Sequence, residues 1–211
     1  MAEVDHSGLR LADDLFFVMH DDITGRMRLA PRLTGLALAA AVVGELMLAG
    51  RVTVGLAAGQ VRLAPLGTAP TGDALTQSAL DHIVAEPSHR FRIWLQFFAR
   101  TAYAGVAARM TTAGLLRPPS GRLVRRRAPV DANTAAWPLG RLNLAIRRRQ
   151  PLDPQDGVLL GLLAATGGGR LVLWEQNPAY LSSSLSALPL PLRELVAQTE
   201  AAVGDSVISR R

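Results

Sequence analysis

Arginine is the side chain with the most chemical reach in this chain. All 23 basic residues are Arg, with no Lys, against 17 carboxylates, for a formal charge of +6. Nine of those Arg and a single carboxylate, Asp131, fall between Arg117 and Arg149. A local excess of that kind makes a positive surface that attracts phosphates, whether of lipid or of nucleic acid. Its densest runs, Arg125-Arg126-Arg127 and Arg147-Arg148-Arg149, read first as solvated faces. Beside an anionic leaflet each basic residue would add about 1 kcal/mol of attraction. The four histidines (His6, His20, His82, His89) have no zinc-ligand spacing. His20-Asp21-Asp22 could hold a cation but reads better as a surface turn. Asp13-Asp14 could be an acid/base pair, yet at a helix start the helix dipole explains them better. Gly167-Gly168-Gly169-Arg170 could offer amide donors to an anion, and a helix-terminating loop is the simpler reading. There is no nucleophile elbow, Walker loop or dinucleotide fingerprint. No catalytic constellation is visible, so the expectation is a protein that binds rather than turns over, with no catalytic residue, metal or cofactor.

The elements that must position these groups are mostly helices. The chain is 49% hydrophobic and only 5% aromatic, so its core is built from Leu, Val and Ala, which suits helix packing. The absence of cysteine excludes disulfides and thiolate metal sites. The fold expected is mainly α: a single-domain helical bundle ringed by amphipathic helices, with two surface β-hairpins. Residues 1–10 are expected to be a flexible N-terminus, 11–204 the domain, and 205–211 a frayed C-terminus. The start of the chain lacks the basic and apolar regions of a signal peptide, which favours a cytoplasmic location.

Helices are expected at Leu11–Met19, Arg32–Ala49, from Thr71 to Pro87, as one or two segments over Arg90–Ala113, at Gly140–Arg148, Val158–Ala165 with Asp153 as N-cap, and Leu190–Val203. The run Leu33–Gly50 has the length of a membrane span. Glu45 inside it and its small residues favour a buried core helix. Alternation over Arg51–Leu63, with Gly55 and Gly59 at the turn, predicts one hairpin. Pro118-Pro119-Ser120-Gly121 with return strand Arg122–Arg125 predicts the second. Trp94, Phe97 and Phe98 read as core, and Thr71-Gly72-Asp73 as a helix cap.

Several of these segments, taken in order, resemble the Golgi phosphoprotein 3 family. Ala69-Pro70-Thr71-Gly72-Asp73 is similar to a nearly identical stretch before a family helix. Leu11-Ala12-Asp13-Asp14-Leu15 resembles the family's opening helix, and Gly44-Glu45-Leu46 through Gly50-Arg51 its core-helix exit. Trp94-Leu95, Ala113-Gly114-Leu115-Leu116 and Pro151 to Gly167 continue the series. The resemblance implies a helical bundle with surface hairpins. It also implies a peripheral membrane protein that binds anionic phospholipid head groups, phosphatidylinositol 4-phosphate in particular, and a homo-oligomer formed through a β-hairpin. The composition suggests a GC-rich bacterial genome, so the family's Golgi adaptor role does not transfer. The expected location is cytoplasmic and peripherally membrane-associated. Of the family's lipid-site pattern (a Trp, an Arg and two Arg one helix turn apart) the chain keeps Arg100. Ala30 stands at the Trp position, Ala39 at the first Arg and Tyr103 at the last. Arg28 and Arg32, near the missing Trp, are the candidates to substitute. The expected lipid-binding residues are thus Arg100, Tyr103, Arg28 and Arg32.

Two other readings stand beside this one. A helix followed by a basic hairpin resembles a winged helix, but the segment Ala104–Ala113 offers only Arg109 and two Thr to base edges, so nucleic acid is the weaker partner. A non-catalytic oligomeric scaffold is the third reading.

Overall fold

The computed structural model describes residues 9–118, 127–175 and 177–208. Its order is α1 (Leu11–Val18), α2 (Pro31–Leu48), β1 (Val52–Ala57), β2 (Gln60–Pro65), α3 (Ala74–Ala85), α4 (Phe91–Phe98), α5 (Ala102–Thr112), α6 (Ala132–Arg148), α7 (Pro154–Ala165), α8 (Gly169–Val172), α9 (Pro178–Ala187) and α10 (Leu190–Ile208). The helical majority follows from the paucity of aromatic residues and the abundance of Leu and Ala, which favour helices and define the period.

Helix α2 is the hub. It is long and apolar enough to cross a membrane, but 72% of it is buried inside the protein. Helices α1, α3, α4, α5, α7 and α10 all pack on it. Ala37, Ala39, Ala40, Ala41 and Val43 have no exposed surface, and such small side chains let six neighbours approach one axis. The closest approach is at Gly35, where an added Cβ would lie 2.7 Å from the backbone oxygen of Ala99. This contact seats the start of α2 against the α4–α5 turn. Gly35→Val is expected to cost about 1–3 kcal/mol by forcing backbone apart, read as a lowered denaturation midpoint in urea.

The first hairpin pairs Val52 with Pro65 through to Ala57 with Gln60, antiparallel. Its turn is Ala58-Gly59, both with positive φ (51° and 71°), the primed geometry that matches strand twist. Gly55, expected at the turn, instead lies within β1 opposite Arg62. For the second hairpin, Leu116 bridges Pro129, and Arg117 N–H donates to Ala128 O. The chain therefore does return antiparallel there, and the returning partners are 128–130. The predicted tip, apart from Pro118, and the return strand 122–125 lie outside the described residues.

Four helices differ from expectation, one of them the short α8, in which Gly169 and Arg170 are helical where a helix-terminating loop was expected. α6 starts at Ala132, eight residues before the expected Gly140, because Asp131 caps it: its carboxylate accepts the Thr134 N–H. Pro138 lies inside the helix as its seventh residue, past the four unpaired N–H groups of the helix start, and so it forfeits the hydrogen bond to Thr134 O. α9 was not expected at all; Asn177 caps it and Pro178 occupies its first position. α10 continues to Ile208 rather than ending at Val203. Asp153, expected as the cap of α7, does accept the Asp156 N–H.

Candidate functional site: an arginine cleft at the start of α2

Two of the expected lipid ligands share one cleft. Arg32, in the first turn of α2, and Arg100, in the α4–α5 turn, line a depression of about 450 Å³ with Leu36, Gln96, Ala99 and the α10 residues Ala202, Asp205 and Ser206. The Gly35–Ala99 contact brings the two Arg-bearing segments together. Both Arg are exposed, and among the described residues neither makes an ion pair. Asp205 adds a negative charge to the rim, offset by Arg92 at 2.9 Å. The cleft also sits at the N-terminus of an 18-residue helix whose N-cap, Ala30, provides no side-chain cap. Uncapped N–H groups and the positive end of the helix dipole favour an anion there.

Arg28 and Tyr103 lie one turn further along the same two segments and are differently engaged. Arg28 Nε donates to His20 O at 3.0 Å, and its guanidinium is 3.7 and 3.8 Å from Asp21 and Asp22. Tyr103 is half-buried, with its hydroxyl 3.4 Å from His20 Nε2. Burial pushes the Tyr103 phenol up, and the charge of Arg127 opposes this. His20 stacks on Phe16 at 4.1 Å and its Nδ1 lies 2.6 Å from Phe16 O. Burial lowers its pKa to about 4, so the imidazole is neutral near pH 7. These residues are held by hydrogen bonds to one another, and neither Arg28 nor Tyr103 lines the cleft. Arg32 and Arg100 are the side chains with charge to spare. Ala39, aligned with a family Arg, has no exposed surface and lies in the bundle core.

His20-Asp21-Asp22 is a turn: Asp21 Oδ1 accepts from Thr24 N–H at 2.7 Å and Thr24 Oγ1 at 2.8 Å. Among the described residues no cluster of three or more His, Asp or Glu is poised for a metal ion. Gly167 has φ +75° at the end of α7, the helix-stop role expected of the glycine run.

The motifs behind the family resemblance converge elsewhere. Arg109, on α5, donates to Asp13 at 2.7 and 3.1 Å, to Glu45 at 2.8 and 2.9 Å, and to Asp73 at 3.1 Å. Glu45 also accepts the Ala12 N–H, and Asp73 caps α3 through Thr76 N–H. One guanidinium therefore ties together the opening helix, the core helix and the Thr-Gly-Asp turn. Asp14 turns the other way and pairs with Arg141 at 3.0 Å; Arg141 also takes Asp156. The helix-dipole account of Asp13-Asp14 is thus incomplete, because each acid is buried against its own Arg. Arg141 is likewise not part of the basic surface that its position suggested. Arg109, being engaged with three carboxylates, is not available to a base edge.

A family model described as Golgi phosphoprotein 3 (GPP34) matches residues 11–205. The protein belongs to the Golgi phosphoprotein 3 family. No curated protein sequence matches it significantly. In this chain the acids of the motif segments, Asp13, Glu45 and Asp73, meet at Arg109 and so assemble the scaffold. Sequence reasoning missed Gln96 and Ser206 as cleft residues. Gln96 could have been found one turn before Arg100; nothing near Ser206 pointed to the cleft, since α10 arrives there only through the fold.

Proposed function

We propose that this family member is a peripheral membrane protein that binds the phosphate of an anionic phospholipid head group in the Arg32/Arg100 cleft. The family resemblance makes phosphatidylinositol 4-phosphate the head group to test first. The observation that carries the reading is the pair of exposed Arg, without ion pairs among the described residues, at an uncapped helix start. Guanidinium groups form short, paired hydrogen bonds with phosphate oxygens, and the helix N-terminus adds a fixed positive potential. Gln96 supplies a neutral donor at the rim, whereas the Ser206 hydroxyl already donates to Val203 O at 2.8 Å. Arg28 and Tyr103 do not line the cleft and would be met only by a head group that extends beyond it. The mechanism is binding without turnover.

The experiment is a titration of vesicles containing phosphatidylinositol 4-phosphate. Each of Arg32→Ala and Arg100→Ala is expected to lose about 1 kcal/mol of membrane affinity, and the double variant about twentyfold or more. Both Arg are exposed, so the variants should melt like the parent. A double variant that binds undiminished would place the head group elsewhere. The nucleic-acid reading gains nothing from the structure, since Arg109 is sequestered.

A further inference from the structure

Helix α4 exposes two large apolar side chains beside the cleft, Ile93 at 46% and Phe97 at 43%. Phe97 was expected in the core with Trp94 and Phe98, and only those two are buried. The three exposed residues Ile93, Gln96 and Phe97 follow the i, i+3, i+4 spacing that places side chains on one helix face. Gln96 is also a wall of the cleft, while Phe97 lines the groove on the other flank of the helix with Leu75 and His82, so the exposed face of α4 is the ridge that borders the arginine cleft. Phe97 is held in place rather than loose. Its ring packs against His82 at 5.3 Å, Phe98 at 5.4 Å and Trp94 at 5.8 Å. The opposite face of α4, Phe91, Trp94, Leu95 and Phe98, is buried in the bundle. The helix is therefore amphipathic twice: one face is core, and the other carries isolated apolar groups among polar ones.

We propose that Ile93 and Phe97 are a membrane-inserting edge that enters the acyl boundary of the bilayer whose phosphates occupy the Arg32/Arg100 cleft. This rests on the head-group reading and adds a depth and an orientation to it. The bilayer is the occupant that fits, because the apolar pair is flanked by Arg100 and Arg32 on the cleft side and by Arg92 one residue before Ile93. Arginines at such a border keep their heads at the phosphate level while their stems run along apolar surface. The acid on the cleft side does not oppose this, because Asp205 is paired with Arg92. Two inserted side chains give shallow, reversible binding of the interfacial kind. They also fix which face meets the membrane, with α4 lying along the surface and the helix start of α2 aimed at the head groups.

The chain has no cysteine, so a single introduced thiol labels one site. Phe97→Cys and Ile93→Cys, each carrying an environment-sensitive fluorophore, are mixed with neutral and with phosphatidylinositol 4-phosphate vesicles. Ser183→Cys on the exposed surface of α9 serves as the remote control. The expected result is a blue shift, and quenching by spin-labelled acyl chains, at positions 93 and 97 on the anionic vesicles alone, with no change at 183. Ile93→Ser/Phe97→Ser in the unlabelled protein is expected to lose roughly tenfold in vesicle partitioning while keeping its salt dependence. Binding with no spectral change at 93 or 97 overturns the insertion but leaves the head-group reading intact, and points to a protein partner for this face. No vesicle binding by the unlabelled parent overturns both.

Discussion

Arg109→Leu is expected to destabilise the protein by about 3–5 kcal/mol, the cost of breaking a buried ion pair by removing one partner. The side chains of Asp13, Glu45 and Asp73 are only 8%, 8% and 11% exposed. Without the guanidinium, three carboxylates would face one another with little water to screen them. Arg10, 3.4 Å from Asp73 but 41% exposed, cannot reach into the centre to replace it. The loss would be shared by four helices, since the pairings join α1, α2, the cap of α3, and α5. Glu45→Gln should cost less, because an amide oxygen can still accept from Arg109 or from Ala12 N–H, and one repelling charge has gone. Urea denaturation of the three proteins checks the order. An Arg109→Leu variant within 1 kcal/mol of the parent would mean that the network does not hold the bundle.

The second large effect is a pair of opposed pH dependences. His20 falls from 6.5 to about 4 in the folded protein through burial. Between those values the unfolded chain takes up a proton that the folded chain refuses. Its stabilising contribution is therefore complete above pH 6.5 and lost as pH falls through 4, by about 3 kcal/mol in all. Asp14 moves the opposite way. Burial pushes it from 3.8 up to about 6, against the pull of Arg141 and Gln155, and its Oδ1 has no hydrogen-bond partner among the described residues. Its contribution is present below pH 3.8 and lost as pH rises through 6, again by about 3 kcal/mol. In the parent the two slopes largely cancel between pH 4 and 6. His20→Gln should therefore make the protein gain stability on going from pH 7 to 4.5. Asp14→Asn should make it lose stability over the same interval. Urea midpoints at the two pH values check this, and parallel slopes in both variants would contradict it.

Much of the architecture was legible because long apolar helices announce themselves. The run that became α2 carried one acid, Glu45, and that acid does mark a buried helix with a partner rather than a membrane span. Asp153, Asp73 and Gly59 of the hairpin turn were readable because caps and hairpins use a small set of side chains; Ala58, the other turn residue, carries no such signal, and Gly55 belongs to the strand. The start of α6 was hidden by Pro138, which reads as a breaker and yet sits inside the helix. α9 was hidden because its Ser-rich body reads as loop and only the Asn177-Pro178 pair signals a start. Of the cleft, Arg32 and Arg100 were reachable from the sequence. Their meeting depends on the Gly35 contact, a matter of packing that no spacing reveals. Phe97 looked like core because aromatic residues one and three places away from it, Phe98 and Trp94, are core; its outward rotation is set by the whole bundle.

The central claim is that the Arg32/Arg100 cleft recruits the protein to anionic lipid, and co-sedimentation of the unmodified protein with vesicles tests it most directly. The vesicles would be neutral lipid alone, and neutral lipid with phosphatidylserine, phosphatidylinositol or phosphatidylinositol 4-phosphate, each at two salt concentrations. The account predicts pelleting with the phosphoinositide that survives the higher salt, weaker and salt-sensitive pelleting with the other anionic lipids, and none with neutral lipid. Failure to pellet with any anionic vesicle, at either salt, would contradict it.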